Sequence, residues 1–376
     1  MKNFINKLSD KQDYYAVIML WLVFQAIWIA VFGFDFQGES DKYITEARLF
    51  IINHGFTQQR YIFYSTTILI IVCSNLIKMG VYGAVAIIML INLCSYLYFF
   101  KAIKSFYVEK YPAYLLLIFL LFFWPYQRWS ITLYTEGIFY SLVLVLFALL
   151  IRYRDLSARF LLALSAVMTL LVLTRPMGVL FIVPVLMFIY FHLVGRQKVI
   201  FLIGLIVGLV LINQVAQVVF TTTRDWSMVQ ALQSDIIIAD KEVIPVNKNI
   251  VITQNPNQLY QLVFYITHNF SHFIMLALKR LQAFFFLVRS YYSTAHNVFL
   301  LAPVALVYLL IISRVNKIKK AINKSLLVFV VLSVVFFAVA VALQFDDYHN
   351  RFFLTLMPCI TVLASAAVFQ IKSSEM

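Results

Sequence analysis

Acidic residues are scarce in this sequence. Only 16 of its 376 residues are Asp or Glu, and charged residues of both signs make up 12% of the chain. Soluble domains carry about twice that charged fraction, so a globular protein facing water on all sides is excluded. Cysteine is nearly absent. Cys73, Cys94 and Cys359 all lie in apolar runs. An odd number in such places argues against a disulfide framework or a metal cluster. No period of roughly 20–50 residues repeats, which argues against a solenoid or an inverted-repeat transporter. Apolar and polar residues do not alternate within the runs, as they would in the strands of a membrane barrel.

Apolar sequence is abundant. Hydrophobic residues make up 63% of the chain, and its mean hydropathy is +0.90. They come in runs of roughly 17–22 residues between short polar links, the length that crosses a bilayer core of about 30 Å. The chain therefore reads as an all-α polytopic membrane protein. About ten spans are expected: Tyr14–Phe34, Gly80–Phe100, Pro112–Trp124 extended towards Ser130, Tyr134–Ile151, Ser157–Thr174, Met177–Val194, Val199–Phe220, Asn297–Ser313, Ser325–Leu343 and Phe352–Gln370. The organisation is a membrane module over 1–220 with a first outer loop at 35–79. An outer loop with an interfacial helix follows over 221–296, then C-terminal membrane helices over 297–376. The start MKNFINKLSDKQDYY is polar for about a dozen residues and the next run is long enough to span, so no cleaved leader is expected.

The formal net charge is +14. The Lys and Arg residues sit mainly in short links, and no nucleic-acid-binding motif accompanies them, so the expected partner is a lipid bilayer and not nucleic acid. Cytoplasmic links are enriched in Lys and Arg. If Tyr61–Lys78 does not cross, the links holding Lys101, Lys104 and Lys110, then Arg152, Arg154 and Arg159, then Arg196 and Lys198, and finally Arg314 to Lys324 all share the side of the N-terminus. Both termini are then cytoplasmic, and Tyr61–Lys78 lies along the outer interface. The run Phe270–Ser290 carries Lys279 and Arg280 in its middle. Those charges are costly at a bilayer centre, so this run too is expected in the interface.

On the outer side, GESDKYITEARLFIINHG concentrates Glu39, Asp41 and Glu46. Ser40 is expected to cap a helix from Asp41 to about Asn53, with Asp41 in the first turn, where the helix dipole favours a carboxylate. Tyr43, Ala47, Phe50, Ile51 and His54 then share one face. WPYQRWSITLYTEGIFY sets Glu136 at the start of a span, where burying a carboxylate calls for a partner such as Arg128 or a function. LTRPMGVL sets Arg175 at a tight outer turn. FDDYHNRFFLTLMP sets Arg351 at the start of the last span, where it can snorkel or pair with Asp346 or Asp347. Together these groups are expected to converge on one outer cavity.

Those segments resemble the lipid-phosphate-sugar-dependent glycosyltransferases of the GT-C fold, which include the bacterial aminoarabinose transferases and the protein O-mannosyltransferases. The matching residues are Asp41, Tyr43, Ala47 and Gly55 after the first span, the serine-to-acid motif ending at Glu136, the Arg-Pro-x-Gly turn at Arg175, and the late span NRFFLTLMP. The resemblance is good in the first half, fair in the last span and poor over Thr221–His296. It implies a GT-C-like membrane bundle; from the residues themselves, interfacial helices are expected in the first outer loop and a small, mostly irregular outer cap within 221–296. It also implies an inverting transfer of a sugar from a polyprenyl-phosphate donor to an acceptor hydroxyl on a glycan, lipid or protein. By carry-over Asp41 is the general base and Glu136 the second catalytic carboxylate. One departure is that Asp41 follows Ser40 and Glu39 instead of a directly adjacent acid. Glu39 and Asp41 could mimic a two-acid metal site, but two carboxylates alone are a thin ligand set for a divalent ion, so no obligatory metal or other cofactor is expected.

The chemistry asks for the same groups without the family. An acceptor hydroxyl needs a base within hydrogen-bond reach. A departing phosphate needs cations, and Arg binds phosphate in bidentate fashion. Arg175 and Arg351 are the first candidates to hold the donor phosphate, Lys279 and Arg280 the second, and Arg60 the third. Glu39, Tyr43, Tyr134 and His54 are candidate acceptor or sugar contacts, and Trp129, Trp226, Tyr291 and Tyr292 offer rings for stacking. A lipid-linked O-antigen polymerase or ligase is the rival enzyme, and His268 and His272 near Lys279 and Arg280 fit it. That rival leaves the early acidic stretch unexplained. A transporter or flippase would place charges near the midplane, whereas these cluster at one face. Lipid-carrier chemistry suits a bacterial inner membrane with the site on the periplasmic or extracellular side.

Overall fold

The computed structural model describes residues 5–153, 155–205, 229–239, 241–243, 249–253, 255, 257–346 and 349–372. Most of the expected span Val199–Phe220 lies outside the described residues, as do Arg154, Trp226, Asp347 and part of the expected outer cap. The described chain is mostly helical. Helix α1 runs Asp10–Phe32, α2 Glu39–Asn53, α3 Ser65–Leu76, α4 Gly80–Phe106, α5 Tyr111–Phe122, α6 Thr135–Ile151, α7 Ala158–Thr174 and α8 Ile182–His192. Later come strands β1 (Ile236–Ile238) and β2 (Glu242–Val243), which pair antiparallel. Helices α9 (Gln258–His268), α10 (Phe270–Phe286), α11 (Thr294–Ser313), α12 (Val315–Ala321), α13 (Lys324–Leu343) and α14 (Met357–Val368) follow.

Four helices are long and apolar enough to cross a membrane, namely α1, α4, α11 and α13. Five more apolar segments are shorter: α5, α6, α7, Pro176–His192 and α14. Prolines account for part of the shortening, because proline has no N–H to give to the preceding turn. The expected run through Ser130 stops at Phe122, and a new turn, Trp124–Gln127, starts with Pro125 near its beginning. The last expected span divides into a turn at Arg351–Leu354 and α14, which carries Pro358 in its first turn. Tyr61–Lys78 is not one helix. Gln59–Tyr64 is a 3-10 turn, and α3 has 12 residues. At 1.5 Å per residue α3 is about 18 Å long, short of a bilayer core of about 30 Å.

The chain divides into two compact units. The first holds Met1–Val185, Val307–Val330 and Leu354–Met376, and the second holds Leu186–Leu306 and Val331–Phe353. In the first unit α6 is buried on all sides, as an apolar helix without a polar face must be. It packs along α4. Gly137 permits the approach, since a Cβ there would run into the Trp129 carbonyl and Ile88. Polar side chains tie the neighbours together. Asn92 of α4 accepts from Trp21 Nε1 of α1 at 2.9 Å and donates to Ser141 of α6 at 3.2 Å. Gln127 donates to Asn92 at 3.2 Å and accepts from the Tyr96 hydroxyl at 2.8 Å. Inside an apolar bundle such bonds fix which helices meet.

Asp13 clamps the start of α1. It is buried and accepts from Lys104, Lys110 and the Tyr114 hydroxyl, each at 2.9 Å. Replacing Asp13 by Asn leaves two partly exposed lysines without their shared anion. The expected loss is about 1–3 kcal/mol of stability, the range for buried charge-assisted bonds. Thermal unfolding in detergent reads this out, and an unchanged midpoint refutes the clamp.

The second unit packs α9, α10 and β1 around Leu232, Ile237, Tyr265 and Leu276. Several of its charged groups lie against one another. Arg289 Nη2 lies 2.6 Å from Asp346 Oδ2, and both side chains are fully buried. His272 Nε2 lies 2.7 Å from Asp235 Oδ1, and its Nδ1 lies 2.7 Å from the Tyr265 hydroxyl. Arg280 is also buried. It donates to the carbonyls of Ala231, Ile236 and Ala342 at 2.7, 2.8 and 3.0 Å. Burial pulls its guanidinium down to about 10.

Candidate functional site

The segment from Asp35 to Ser40, which leads into α2, is pinned to the segment that enters α6. Leu133 N donates to the Asp35 carbonyl at 3.1 Å, beside a parallel bridge between Asp35 and Thr132. The Tyr134 hydroxyl accepts from Glu39 N and donates to the Gln37 carbonyl, both at 3.0 Å. Ser40 Oγ donates to the Leu133 carbonyl at 3.2 Å. This last bond corrects the expected cap. The Ser40 hydroxyl is used across the chain, so α2 begins at Glu39 with Gly38 at its N-cap.

Gly38 has φ +64°, and a Cβ there would lie 2.7 Å from the Tyr134 hydroxyl. Gly38→Ala is therefore expected to break the Glu39–Tyr134 bond. Backbone strain of this kind costs about 1–3 kcal/mol. Limited proteolysis at 35–40 should speed up in the variant, and unchanged cleavage would contradict the pin.

The three carboxylates of α2 have three different surroundings. Glu46 is buried and accepts from Thr57 N at 2.7 Å and Thr57 Oγ1 at 2.6 Å, closing the loop after the helix. Glu39 accepts from Lys42 Nζ at 3.0 Å and the Tyr43 hydroxyl at 3.2 Å. Asp41 is exposed in the first turn, and its carboxylate makes no hydrogen bond or ion pair among the described residues. The expected face holds for Tyr43 and Ala47, which are buried, and for Phe50 and Ile51, which are half-buried, but not for His54, which is exposed beyond the last helical residue in a left-handed conformation.

Tyr43 connects α2 to α6. Its ring packs at 5.7 Å from that of Tyr64, and Lys42 Nζ lies 4.9 and 5.4 Å from the two ring centroids. Burial pushes the Tyr43 phenol far above its ordinary range. The Glu39 charge adds to this, while Arg175 and the Thr135 hydroxyl oppose it.

Glu136 opens α6, is fully buried, and is ion-paired through Oε1 with Arg175 Nη1. Thr135 Oγ1 donates to its other oxygen at 3.1 Å. Arg175 caps α7 in an extended conformation, φ −153° and ψ 142°. Pro176 requires this, since the residue before proline is driven out of the helical region. Arg128, the alternative partner read from the sequence, instead lies 3.7 Å from Asp35. Glu39, Tyr43, Thr135, Glu136 and Arg175 thus form one linked cluster within the first unit.

No family model, curated protein or solved structure matches this chain.

The remaining candidates fall elsewhere. His54 is exposed and left-handed, φ 53°, at the end of α2. Arg60 is exposed, with its guanidinium 5.7 Å from the Tyr61 ring centroid. Tyr134 is buried, and its hydroxyl is committed to the pin. Lys279 is exposed on α10, whereas its neighbour Arg280 is committed to three carbonyls. Arg351 is buried in the second unit. Its suggested partner Asp346 is held by Arg289. Among the described residues no three His, Cys, Asp or Glu side chains gather as a metal-binding group.

Sequence reading passed over Thr57, Thr135, Asp235 and Arg289. Thr135 had a usable signal, a hydroxyl next to an acid at a span entrance. Arg289 and Asp346 are 57 residues apart, and no local pattern links them.

Proposed function

We propose that the protein is an integral membrane glycosyltransferase of the GT-C type, moving a sugar from a polyprenyl-phosphate donor to an acceptor hydroxyl. The observation that carries this reading is the buried Glu136–Arg175 pair, linked through Tyr43 to the acidic first turn of α2. A cation held by a buried carboxylate is kept in one orientation, which suits a group that must meet phosphate. An exposed carboxylate on an anchored helix suits a base.

In this mechanism the acceptor oxygen attacks C1 of the donor sugar and Asp41 takes its proton. The C1–O bond to phosphate breaks, and polyprenyl phosphate leaves with the electron pair. Arg175 balances the charge that grows on the phosphate. A single displacement of this kind inverts C1. Glu136 is buried too deeply to meet the acceptor and acts by positioning Arg175. The long apolar helices fit a bilayer. The Lys and Arg bias of the links supports cytoplasmic termini and a site on the non-cytoplasmic face of a bacterial inner membrane.

The polymerase or ligase reading draws on His268 and His272. His272 is buried between Asp235 and Tyr265, so it is closed to a substrate. The test is incubation of purified protein with a panel of polyprenyl-phosphate sugars and candidate acceptors, read by mass spectrometry. A new glycoside supports transfer. Solute uptake into proteoliposomes with every donor intact supports a transporter in its place.

A further inference from the structure

The second unit contains a cavity of about 490 Å³ beside β1 and the C-terminal half of α10. Lys279, Gln282 and Ser290 supply its polar wall, and Ile237, Phe286 and Val288 its apolar wall. Cavities of several hundred Å³ with a few polar groups on an apolar lining are the usual form of a small-ligand site.

Charge selects the ligand. Among the described residues no carboxylate lines the cavity. Two described acids near β1 each face a basic side chain, Asp235 the His272 ring at 2.7 Å and Asp346 the Arg289 guanidinium at 2.6 Å. Lys279 has no ion pair among the described residues. A second cation lies near the same stretch of chain: Lys241 Nζ is 5.9 Å from the ring centroid of Tyr291, the residue after Ser290. The C-terminal end of α10 would by itself repel an anion, because a helix C-terminus is partially negative. Arg289 offsets this by donating to the Ala283 carbonyl in that last turn at 2.8 Å.

A second observation points to a chain on the ligand. Met275, Leu278 and Phe286 are exposed apolar residues of α10. With Lys279 and Gln282 they recur at three- and four-residue steps along one face. The face therefore carries an ammonium and an amide within an apolar stripe that runs past the cavity.

We propose that this cavity seats the phosphate of a phosphate-bearing lipid. Lys279 is its anchoring cation, Gln282 and Ser290 donate hydrogen bonds, and the hydrocarbon lies along the Met275–Leu278–Phe286 face. Isoprenoid phosphates and anionic glycerophospholipids share this chemistry. The site goes beyond the proposed transfer, because occupying it requires no turnover.

The test uses the full chain in nanodiscs of zwitterionic lipid. Undecaprenyl phosphate, phosphatidic acid and inorganic phosphate are titrated separately and bound lipid is counted by native mass spectrometry. Lipid phosphates are expected to bind far more tightly than inorganic phosphate. Lys279→Gln should weaken that binding about tenfold, the loss of one charge-assisted contact. Lys279→Arg should retain it, and Lys319→Gln, at an exposed lysine of the first unit, should match the parent. A preference for undecaprenyl phosphate assigns the isoprenoid source, and equal binding of phosphatidic acid assigns the bulk membrane. Unchanged binding by Lys279→Gln, or inorganic phosphate binding as tightly as the lipids, overturns the proposal. Asp41→Asn should bind lipid like the parent, so failure of the transfer mechanism leaves this result readable.

Discussion

Asp41→Asn is expected to lower sugar transfer by about a hundred- to ten-thousandfold, the range for removing a positioned general base. The substitution preserves shape and removes the proton acceptor. Asp41 is exposed and its carboxylate holds nothing among the described residues, so stability should change by no more than about 0.5 kcal/mol. Donor binding should persist, because the proposed phosphate contact lies at Arg175. Glu39→Gln provides the contrast. Glu39 already serves Lys42 and Tyr43, so its loss should loosen the first turn of α2 and lower transfer less than Asp41→Asn does. A Glu39 variant that is inactive beside an active Asp41→Asn would move the base to Glu39. Donor turnover on both variants, with thermal unfolding as the control, separates the two.

Arg175→Met should be the most destabilising single change at the site. It leaves Glu136 fully buried without its cation, and breaking a buried pair from one side costs about 3–5 kcal/mol. Adding Glu136→Met should recover most of that loss, because replacing both partners of a buried pair with apolar groups is often neutral or better. Transfer should not return in the double variant, since its phosphate ligand is gone. Arg175→Lys should keep the fold and lose most of the transfer, because an ammonium cannot reproduce the bidentate fork. Stability recovered together with activity in the double variant would show that the pair is purely structural. Unfolding midpoints and donor turnover on the same four proteins decide between these outcomes.

Much of the helical plan was legible. Long apolar runs marked α1, α4, α11 and α13, because run length alone reports a membrane-crossing helix. Ser157 was placed at the head of a span and does cap α7, accepting from Phe160 N at 3.4 Å. The face of α2 through Tyr43 and Ala47 followed from helical spacing. Interruptions were harder to see. Apolar composition continues through Phe123 and through Leu356, so nothing in hydropathy marks the breaks there; the prolines were the only signal.

Partner choice was the least legible feature. The sequence marks both Glu136 and Arg175, yet the partner it offers for Glu136 is Arg128, eight residues upstream. The pair that forms spans 39 residues. It depends on α6 and α7 packing side by side and on Pro176 turning Arg175 out of its helix. Ser40 shows the same limit, since a serine ahead of a helix caps locally unless a distant carbonyl claims its hydroxyl.

Release of polyprenyl phosphate by the purified protein, compared with its Asp41→Asn variant, tests the central claim most directly. The prediction is release in equal amount to new glycoside by the parent and almost none by the variant. Intact donor across the whole panel with the parent protein, or equal release by both, would contradict the assignment of this chain as a transferase with Asp41 as its base.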